Sequence, residues 1–480
     1  MSWFKDIKKI LEQEPEHWLA YLHGQQLDNL PHLLKEKPRY RGFILQVAKY
    51  GATLLRGMQV KPRPELKCSA KFFVFSGTAN QMDSLDQTID SLKQRGETVI
   101  AIANKGLLKN NDRAQNYIPF ALNAVDSLRS IILLFARGVG LYKTLKAKNP
   151  VSIDWHFSTF CSVYNYLVYF HRVLGQVKPE FVITSNDHNV PNRCMLAVAH
   201  HLGIKTVYLQ HASVSPIFPA LRVNYAFLDG QCALDIYRQC EPNQPNTDRH
   251  APLPKVILSG QKKHIKRSEK SQSTIVGVAL NVLDDAEAGI AFINALQDEG
   301  QGVRLRWHPG QAVSDIKQYR AAFASSQRVY LSDPKKESIS DFMGNIGWLI
   351  AGNSSIHLEA AIAGVMPMYY ELSPPNHSDY YGYVKHGLTQ KAASVPEVLK
   401  IIEETQDNHT PNAGAVRYYS DTYLTEWDGR EGELVAECLK ALALGDELPV
   451  GVSDFIHKIS SQKQQEYSVP ASSASAPKGA

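Results

Sequence analysis

The chain is poor in the residues that build disulfide frameworks, zinc sites and membrane spans. It has six cysteines in 480 residues. Cys68, Cys161, Cys194, Cys232, Cys240 and Cys438 fall without C-x-x-C spacing, which argues for reduced thiols and against both a disulfide scaffold and a zinc site. No segment reaches the roughly 20 apolar residues of a transmembrane helix, and the opening Met1-Ser-Trp-Phe-Lys5 carries no apolar core of the signal-peptide type. These absences lead to the expectation of a cytoplasmic protein, at most peripheral to the inner membrane. A net charge of +5 is too small to point to nucleic acid, and no RNA- or DNA-binding motif is found.

What is present describes a globular protein. Apolar residues make up 44% and charged residues 21%, an ordinary composition. The length suits two domains of about 200 residues with extensions. The positive charge is unevenly placed. Lys37, Arg39, Arg41, Lys49, Arg56 and Lys61 occur with no acidic residue between them, around the apolar, helix-like run Phe43 to Leu55. A second basic, apolar stretch runs from Arg129 through Ile131-Ile-Leu-Leu-Phe135 to Lys148. Either these are solvated faces over core helices, or they lie on an anionic membrane surface.

Residues 1–68 read as a helical N-terminal extension broken at Pro15, Pro31 and Pro38. From there the pattern becomes strand, small-residue turn, helix, strand: Lys71 to Phe75, Ser76-Gly77-Thr78, a helix through Lys93, then Glu97 to Ile102. That is the opening of a parallel α/β unit. A helical insertion over 111–178 interrupts it. The alternation resumes with Phe181 to Thr184, a helix from Asn192 to Leu202, Thr206 to Leu209 and Tyr225 to Leu228. The first domain is therefore placed at 69–255, with a polar, Pro-containing hinge over 241–272. The second domain, 256–445, repeats the alternation. Its strands are Ser273 to Asn281, Val303 to Trp307, Val329 to Ser332, Trp348 to Ala351 and Met366 to Tyr370, with helices at 286–298, 314–325, 354–364 and 395–404. The tail over 460–480, rich in Ser, Gln, Ala and Pro, is expected to be disordered. The fold class is α/β, two Rossmann-like domains facing a cleft, and in such folds ligands bind at strand carboxyl ends.

Every chemically suggestive motif falls at such an end. Gly352-Asn353-Ser354-Ser355 closes a strand and opens a helix, so backbone N–H groups and two hydroxyls meet at a positive helix end suited to a phosphate. As local structure alone, the same residues read as an N-cap, with Ser354 or Ser355 capping. His308-Pro309 closes another strand, and the proline holds the histidine's backbone extended. Asn281 ends the first strand of the second domain, where it serves either a donor phosphate or a turn. Glu371 follows Tyr369-Tyr370 and could meet donor hydroxyls, and the loop Asn376 to Tyr381 could line the same cleft. Asp284-Asp285 resembles a metal-binding pair but opens a helix, where carboxylates complement the dipole, so no metal is expected. His357, one turn into the helix after Ser355, is expected behind the site. In the first domain Asp187 and His188 follow one strand, Gln210-His211 another, and Asp229-Gly230 a third. A carboxylate or imidazole there could be a general base, with Asp187 alternatively a helix cap near Pro191 and Asp229 a turn residue.

The His-Pro element and the Ser-Ser turn together resemble the corresponding motifs of bacterial sialyltransferases and polysialyltransferases, and also those of capsule-polysaccharide transferases, enzymes of GT-B-like fold. The resemblance covers roughly residues 180–372. It implies that His308 stabilises a departing CMP, with Pro309 fixing it, that Gly352, Asn353, Ser354 and Ser355 hold the phosphate, and that Asp187, His188 or His211 supplies the base. The implied activity is metal-independent, inverting transfer from a CMP-linked acidic sugar to a bacterial surface glycan or glycoconjugate, with no cofactor beyond the nucleotide-sugar donor. The sialyltransferase acidic pair is incomplete here: Asn186-Asp187-His188 and Leu228-Asp229-Gly230 are the nearest matches. A UDP-sugar transferase, a nucleotide-sugar 2-epimerase and a non-catalytic membrane-docking assembly component stand as alternatives.

Overall fold

The computed structural model describes residues 2–20, 42–60, 66, 68–109, 112–216, 218–243, 252–262, 265, 273–372, 378–406 and 410–455. Lys37, Arg39, Arg41, Lys61, Asn376-His377, most of the 262–267 charge run and the 460–480 tail lie outside these residues.

Two sheets organise the described residues. The first contains β1 (Phe72–Ser76), β2 (Val99–Asn104), β3 (Ile118–Phe120), β4 (Phe181–Thr184), β5 (Lys205–Leu209), β6 (Tyr225–Leu228), β7 (Lys255–Leu258) and β14 (Val452–Asp454), in the order β14-β7-β6-β5-β4-β1-β2-β3. The second contains β8 (Val276–Leu280), β9 (Val303–Trp307), β10 (Val329–Ser332), β11 (Trp348–Ala351), β12 (Met366–Tyr370) and β13 (Gln390–Ala392), in the order β10-β9-β8-β11-β12-β13. All pairings are parallel except that of β14 with β7. Parallel strands are covered on both faces, so they read as continuous apolar runs. The Phe-Phe-Val-Phe-Ser run of β1 is buried at every position.

Both orders are doubly wound. Each sheet reverses direction once, between β1 and β4 in the first and between β8 and β11 in the second. A crevice opens at the carboxyl ends where the order reverses. Helices α4 (Ala79–Gln94), α7 (Val190–His201) and α8 (Gln231–Gln239) connect strands of the first sheet. In the second, α9 (Ala286–Asp298), α10 (Val313–Ala322), α11 (Ile339–Gly344), α12 (Ile356–Ala363) and α13 (Val395–Thr405) alternate with strands as the sequence predicts, α11 being additional.

The insertion folds mainly as two long helices, α5 (Ala124–Lys148) and α6 (Pro150–Val177), preceded by the edge strand β3. The N-terminal helices α1 (Ser2–Gln13), α2 (Glu16–Leu19) and α3 (Phe43–Met58) are no separate appendage. Ile7, Ile10, Leu19, Tyr50 and Leu54 share one buried cluster with α6 and α7. Inside that cluster the Tyr50 hydroxyl donates to Asn165 Oδ1 (2.9 Å).

The expected second domain, 256–445, is corrected at both ends. Strand β7 belongs to the first sheet. After α14 (Ala413–Tyr419) the chain returns to the first domain, where Leu434, Val435 and Leu439 of α15 (Glu431–Leu444) join the cluster of Phe72, Val74, Leu85 and Ile89. Gly432 permits the approach, because a Cβ there would lie 2.3 Å from Gln87 Cβ on α4. Among the described residues no helix is long and apolar enough to cross a membrane.

Candidate active site

The second sheet places four predicted positions along one edge. In register, Leu280 pairs with Trp307, Ala279 with Ala351, and Ala351 with Tyr369. The segments beginning at His308 (β9), Asn281 (β8), Gly352 (β11) and Glu371 (β12) therefore leave neighbouring strands, about 4.8 Å apart, on the same side. Asn281 and Gly352 flank the point where the strand order reverses.

The Gly352–Ser355 turn is braced from behind. The buried Asn281 donates from Nδ2 to the Asn353 carbonyl (3.1 Å) and accepts at Oδ1 from Leu283 N–H (2.7 Å). Both ends of its amide are thus engaged with the two loops. Asn281 holds the turn in place, the turn role that the sequence offered for it. A Cβ at Gly352 would sit 3.3 Å from Asp284 Oδ1 and 3.5 Å from the Tyr370 carbonyl, so a larger residue there would press on the Asp284 carboxylate. His357 is fully buried, and its Nε2 faces the Gly352 carbonyl at 2.9 Å. Burial drives its pKa down to about 4, so it is a neutral donor through Nε2, behind the turn as predicted. The capping reading holds for one of the two serines: Ser355 is the N-cap residue of α12 but makes no side-chain cap bond, whereas Ser354 Oγ accepts the Ile356 N–H (3.4 Å). The Ser355 hydroxyl is thus not engaged in capping.

At the end of β9, His308 is exposed and its Nδ1 accepts the Gly310 N–H (3.0 Å). Partial burial lowers its pKa. An Nδ1 already accepting fixes the neutral tautomer and leaves the Nε2–H as donor. Pro309 and Gly310 form the exposed tip of this loop. At the end of β12, Glu371 Oε2 accepts the Tyr369 hydroxyl (2.6 Å), and burial together with that carboxylate pushes the phenol up to about 12. Glu371 Oε1 is buried without a hydrogen-bond partner among the described residues. Asp284 and Asp285 are structural: Asp284 Oδ2 accepts from Asn281 N (2.7 Å), and Asp285 caps α9 through Ala288 N (2.8 Å). Among the described residues no cluster of three or more His, Cys, Asp or Glu suits a metal ion.

The first domain contributes an Asp–His pair. After β4, Asn186 Oδ1 accepts from His188 N (3.0 Å) and Asn189 N (2.9 Å), so Asn186 shapes the turn into α7. The expected alternative, Asp187 as the cap, does not occur. Asp187 is buried; its Oδ1 lies 3.0 Å from His188 Nδ1 and its Oδ2 has no partner among the described residues. His188 Nε2 lies 3.2 Å from Asn186 Nδ2, and the ring packs on Phe218 at 4.6 Å. With Nδ1–H directed at the carboxylate, Nε2 is the basic nitrogen. His211, half-buried, opens the next loop along the edge, after β5. Asp229, after β6, forms a buried ion pair with Lys262 (2.8 Å), and Lys262 also donates to the Gly260 carbonyl (2.8 Å). Asp229 is thus held by a cation at the end of β6.

The two edges converge. Asn353 Oδ1 accepts the Tyr380 N–H (2.9 Å), and the Tyr380 hydroxyl meets Ser215 Oγ of the first domain at 2.5 Å. Gln210, Ser213 and Asp229 line a narrow cavity together with Leu358, Tyr381 and Tyr383 of the second domain. Tyr380 belongs to the loop expected to line the cleft, whereas Lys262 and Ser215 were not singled out in sequence. Lys262 lies in the polar segment read as a hinge, and a serine in a loop carries no local signal.

No protein-family model matches the chain, and no curated protein matches it in sequence. Solved structures match in shape. UDP-GlcNAc 2-epimerase from Methanocaldococcus jannaschii aligns with a TM-score of 0.50 at 13% identity, covering 78% of this chain and 99% of that one. S. aureus MnaA, in a co-structure with UDP, aligns at 0.48 and 12%, covering 78% and 97%. Acinetobacter baumannii MurG aligns at 0.43 and 12%, covering 77% and 99%. At such identities the likeness is one of fold, and the chain has the GT-B-like architecture of two Rossmann-like domains across a cleft.

Proposed function

We propose that this chain is a GT-B-type glycosyltransferase that binds a nucleotide-activated sugar, with a CMP-linked acidic sugar of the sialic, pseudaminic or Kdo type as donor and a surface glycan or glycoconjugate as acceptor. The observation that carries the reading is the Gly352–Ser355 turn at the strand-order reversal of the second sheet, two strands from His308. The donor phosphate rests on the α12 N-terminus and the Ser354 and Ser355 hydroxyls. The His308 Nε2–H donates to the phosphate oxygen on which charge develops as the sugar leaves. Glu371 Oε1 accepts from a donor hydroxyl. In the first domain, the geometry favours His188 as the group that removes the acceptor proton, at Nε2, once the Asn186 amide is displaced. Asp187 fixes its tautomer and stabilises the imidazolium, and His211 stands one strand away. Attack from the face opposite the leaving phosphate inverts the anomeric centre, and no step calls for a metal.

The test is a thermal-shift panel of CMP, CDP, UMP and UDP. A ligand at 100 times its Kd stabilises by about 2.7 kcal/mol, or roughly 5–10 °C for a domain of this size. Preference for CMP supports the donor class. No shift with any nucleotide, together with no turnover of CMP-, UDP- or CDP-sugars, sinks the reading. A second reading is favoured by the likeness to the M. jannaschii UDP-GlcNAc 2-epimerase: the chain uses a UDP-sugar, as transferase or epimerase. A UDP preference, with epimerised product from UDP-GlcNAc in the absence of acceptor, would select it.

A further inference from the structure

We propose that the paired helices α3 and α5 form a docking face for an anionic lipid surface. The two helices run side by side: Gly57 packs against Ser127 near one end, and the Phe43 and Tyr142 rings meet at 5.1 Å near the other. Their inner faces are accounted for, with Gln46, Tyr50, Leu54 and Gly57 of α3 and Leu133, Leu141 and Leu145 of α5 buried. Their outer faces are apolar as well. On α5, Val125, Leu128, Ile132, Phe135 and Val139 recur at alternating spacings of three and four residues, one continuous stripe, and all five are exposed, Phe135 at 82%. On α3, Ile44 (82% exposed) and Leu55 (62%) are joined by Leu45, Val47 and Met58. Isolated exposed apolar residues need no explanation, but a contiguous two-helix patch does.

Charge selects the occupant. No Asp or Glu occurs from residue 42 to 60 or from 127 to 153. Lys49 and Arg56, two helical turns apart, border the apolar arc of α3, and Lys143 continues the α5 stripe one turn beyond Val139; all three are exposed. A second copy of this chain, docking by two-fold symmetry, would bring basic borders against basic borders. A bilayer containing acidic headgroups accepts both features, apolar side chains below the headgroups and cations among them. The position is also informative. α5 starts just after β3, at the carboxyl-end rim of the first sheet, and α3 ends beside it, where Gly57 packs against Leu122 and Ser127. The face therefore adjoins the β3 edge of the first sheet, on its carboxyl-end side. On the reading above, an acceptor carried on a lipid would arrive beside the first-domain loops.

The experiment is co-sedimentation of the full chain with phosphatidylcholine vesicles, with or without about 30 mol % phosphatidylglycerol, and requires no nucleotide. Its outcome is therefore independent of whether the donor reading holds. Binding is expected with phosphatidylglycerol and is expected to weaken at high salt. Lys49→Gln and Arg56→Gln should each weaken it about fivefold, and Ile44→Glu or Phe135→Glu by more than tenfold, with unchanged thermal midpoints because these side chains are exposed. Failure to sediment with anionic vesicles overturns the proposal, as does equal binding by wild type and the Ile44→Glu/Phe135→Glu pair. A concentration-dependent dimer lost in that pair, without vesicle binding, overturns it by assigning the face to a second copy.

Discussion

Lys262→Met should be among the most damaging single substitutions in the first domain, although lysines in charge runs are ordinarily replaceable. The Lys262 side chain is completely buried, and the Asp229 side chain is 6% exposed, at 2.8 Å. Taking away the cation removes the charge partner of a buried carboxylate at the end of β6, where the Asp229 N–H is held by Gln210 Oε1 (2.8 Å). Removing one partner of a buried pair costs about 3–5 kcal/mol, whereas replacing both with apolar residues is near neutral or stabilising. For a domain of this size each kcal/mol moves the midpoint by about 2–4 °C, so Lys262→Met should lower the Tm by roughly 6–20 °C. Asp229→Leu/Lys262→Met should recover most of that loss. The assay is calorimetry of the full chain, with turnover measured on the double variant. Because Asp229 is engaged with Lys262 and not placed as a base, the double variant should keep turnover within about tenfold, below the hundredfold or more expected for losing a general base. A Tm change under about 2 °C for Lys262→Met, or a stable double variant without activity, would refute the reasoning.

His357 supplies a pH prediction. Its folded pKa of about 4 lies below the unfolded value of 6.5, so its contribution is complete above pH 6.5 and is lost as pH falls towards 4. The loss approaches about 3 kcal/mol, and His357→Gln should flatten that limb in urea titrations run from pH 7 to 4. His308→Ala should lower kcat by about 10²–10⁴ while leaving the thermal midpoint in place, since the side chain is exposed and its one bond is to its own loop; an equal loss of stability would count against a role in chemistry. Tyr380→Phe removes the interdomain hydroxyl contact with Ser215 and should cost about 0.5–1.5 kcal/mol, read as a lower midpoint that nucleotide binding partly restores.

The strands of both sheets were legible wherever a parallel strand reads as a continuous apolar run. Phe72–Ser76, Phe181–Thr184 and Trp348–Ala351 lie within a residue or two of their predicted positions. What escaped was short, or fixed from a distance. Strand β7 has three apolar residues, Val256, Ile257 and Leu258, preceded by Pro252 and Pro254, so the polar average of 241–272 masked it. Strands β3, β13 and β14 have three residues each and sit next to sheet edges or form them. The return of α15 to the first domain has no local signature, because an amphipathic helix packs against either sheet with the same pattern. Gly432, whose missing side chain lets α15 approach α4, is the one residue whose identity the docking visibly needs.

At the site, sequence identified the residue types and the strand ends but not which side chains were already engaged. Asn281 and Ser355 looked equivalent, each a small polar residue at the carboxyl end of a parallel strand. In the fold, Asn281 has one end of its amide bonded to its own loop and the other to the Asn353 carbonyl of the neighbouring loop, while Ser355 makes no cap bond. The same sorting separates Asp229, paired with Lys262, from Asp187, whose Oδ2 is left unpaired. A hydroxyl or carboxylate becomes a candidate for chemistry when the fold leaves part of its hydrogen-bonding capacity unmet, since burying an unmet polar group costs about 1–3 kcal/mol. Such a cost is repaid if a ligand or a reacting proton completes the bond. On that criterion Glu371, through Oε1, and the Asp187–His188 pair, through Asp187 Oδ2, outrank Asn281 and Asp229. They lie on the two facing sheet edges, so a donor held by one domain would meet an acceptor activated by the other.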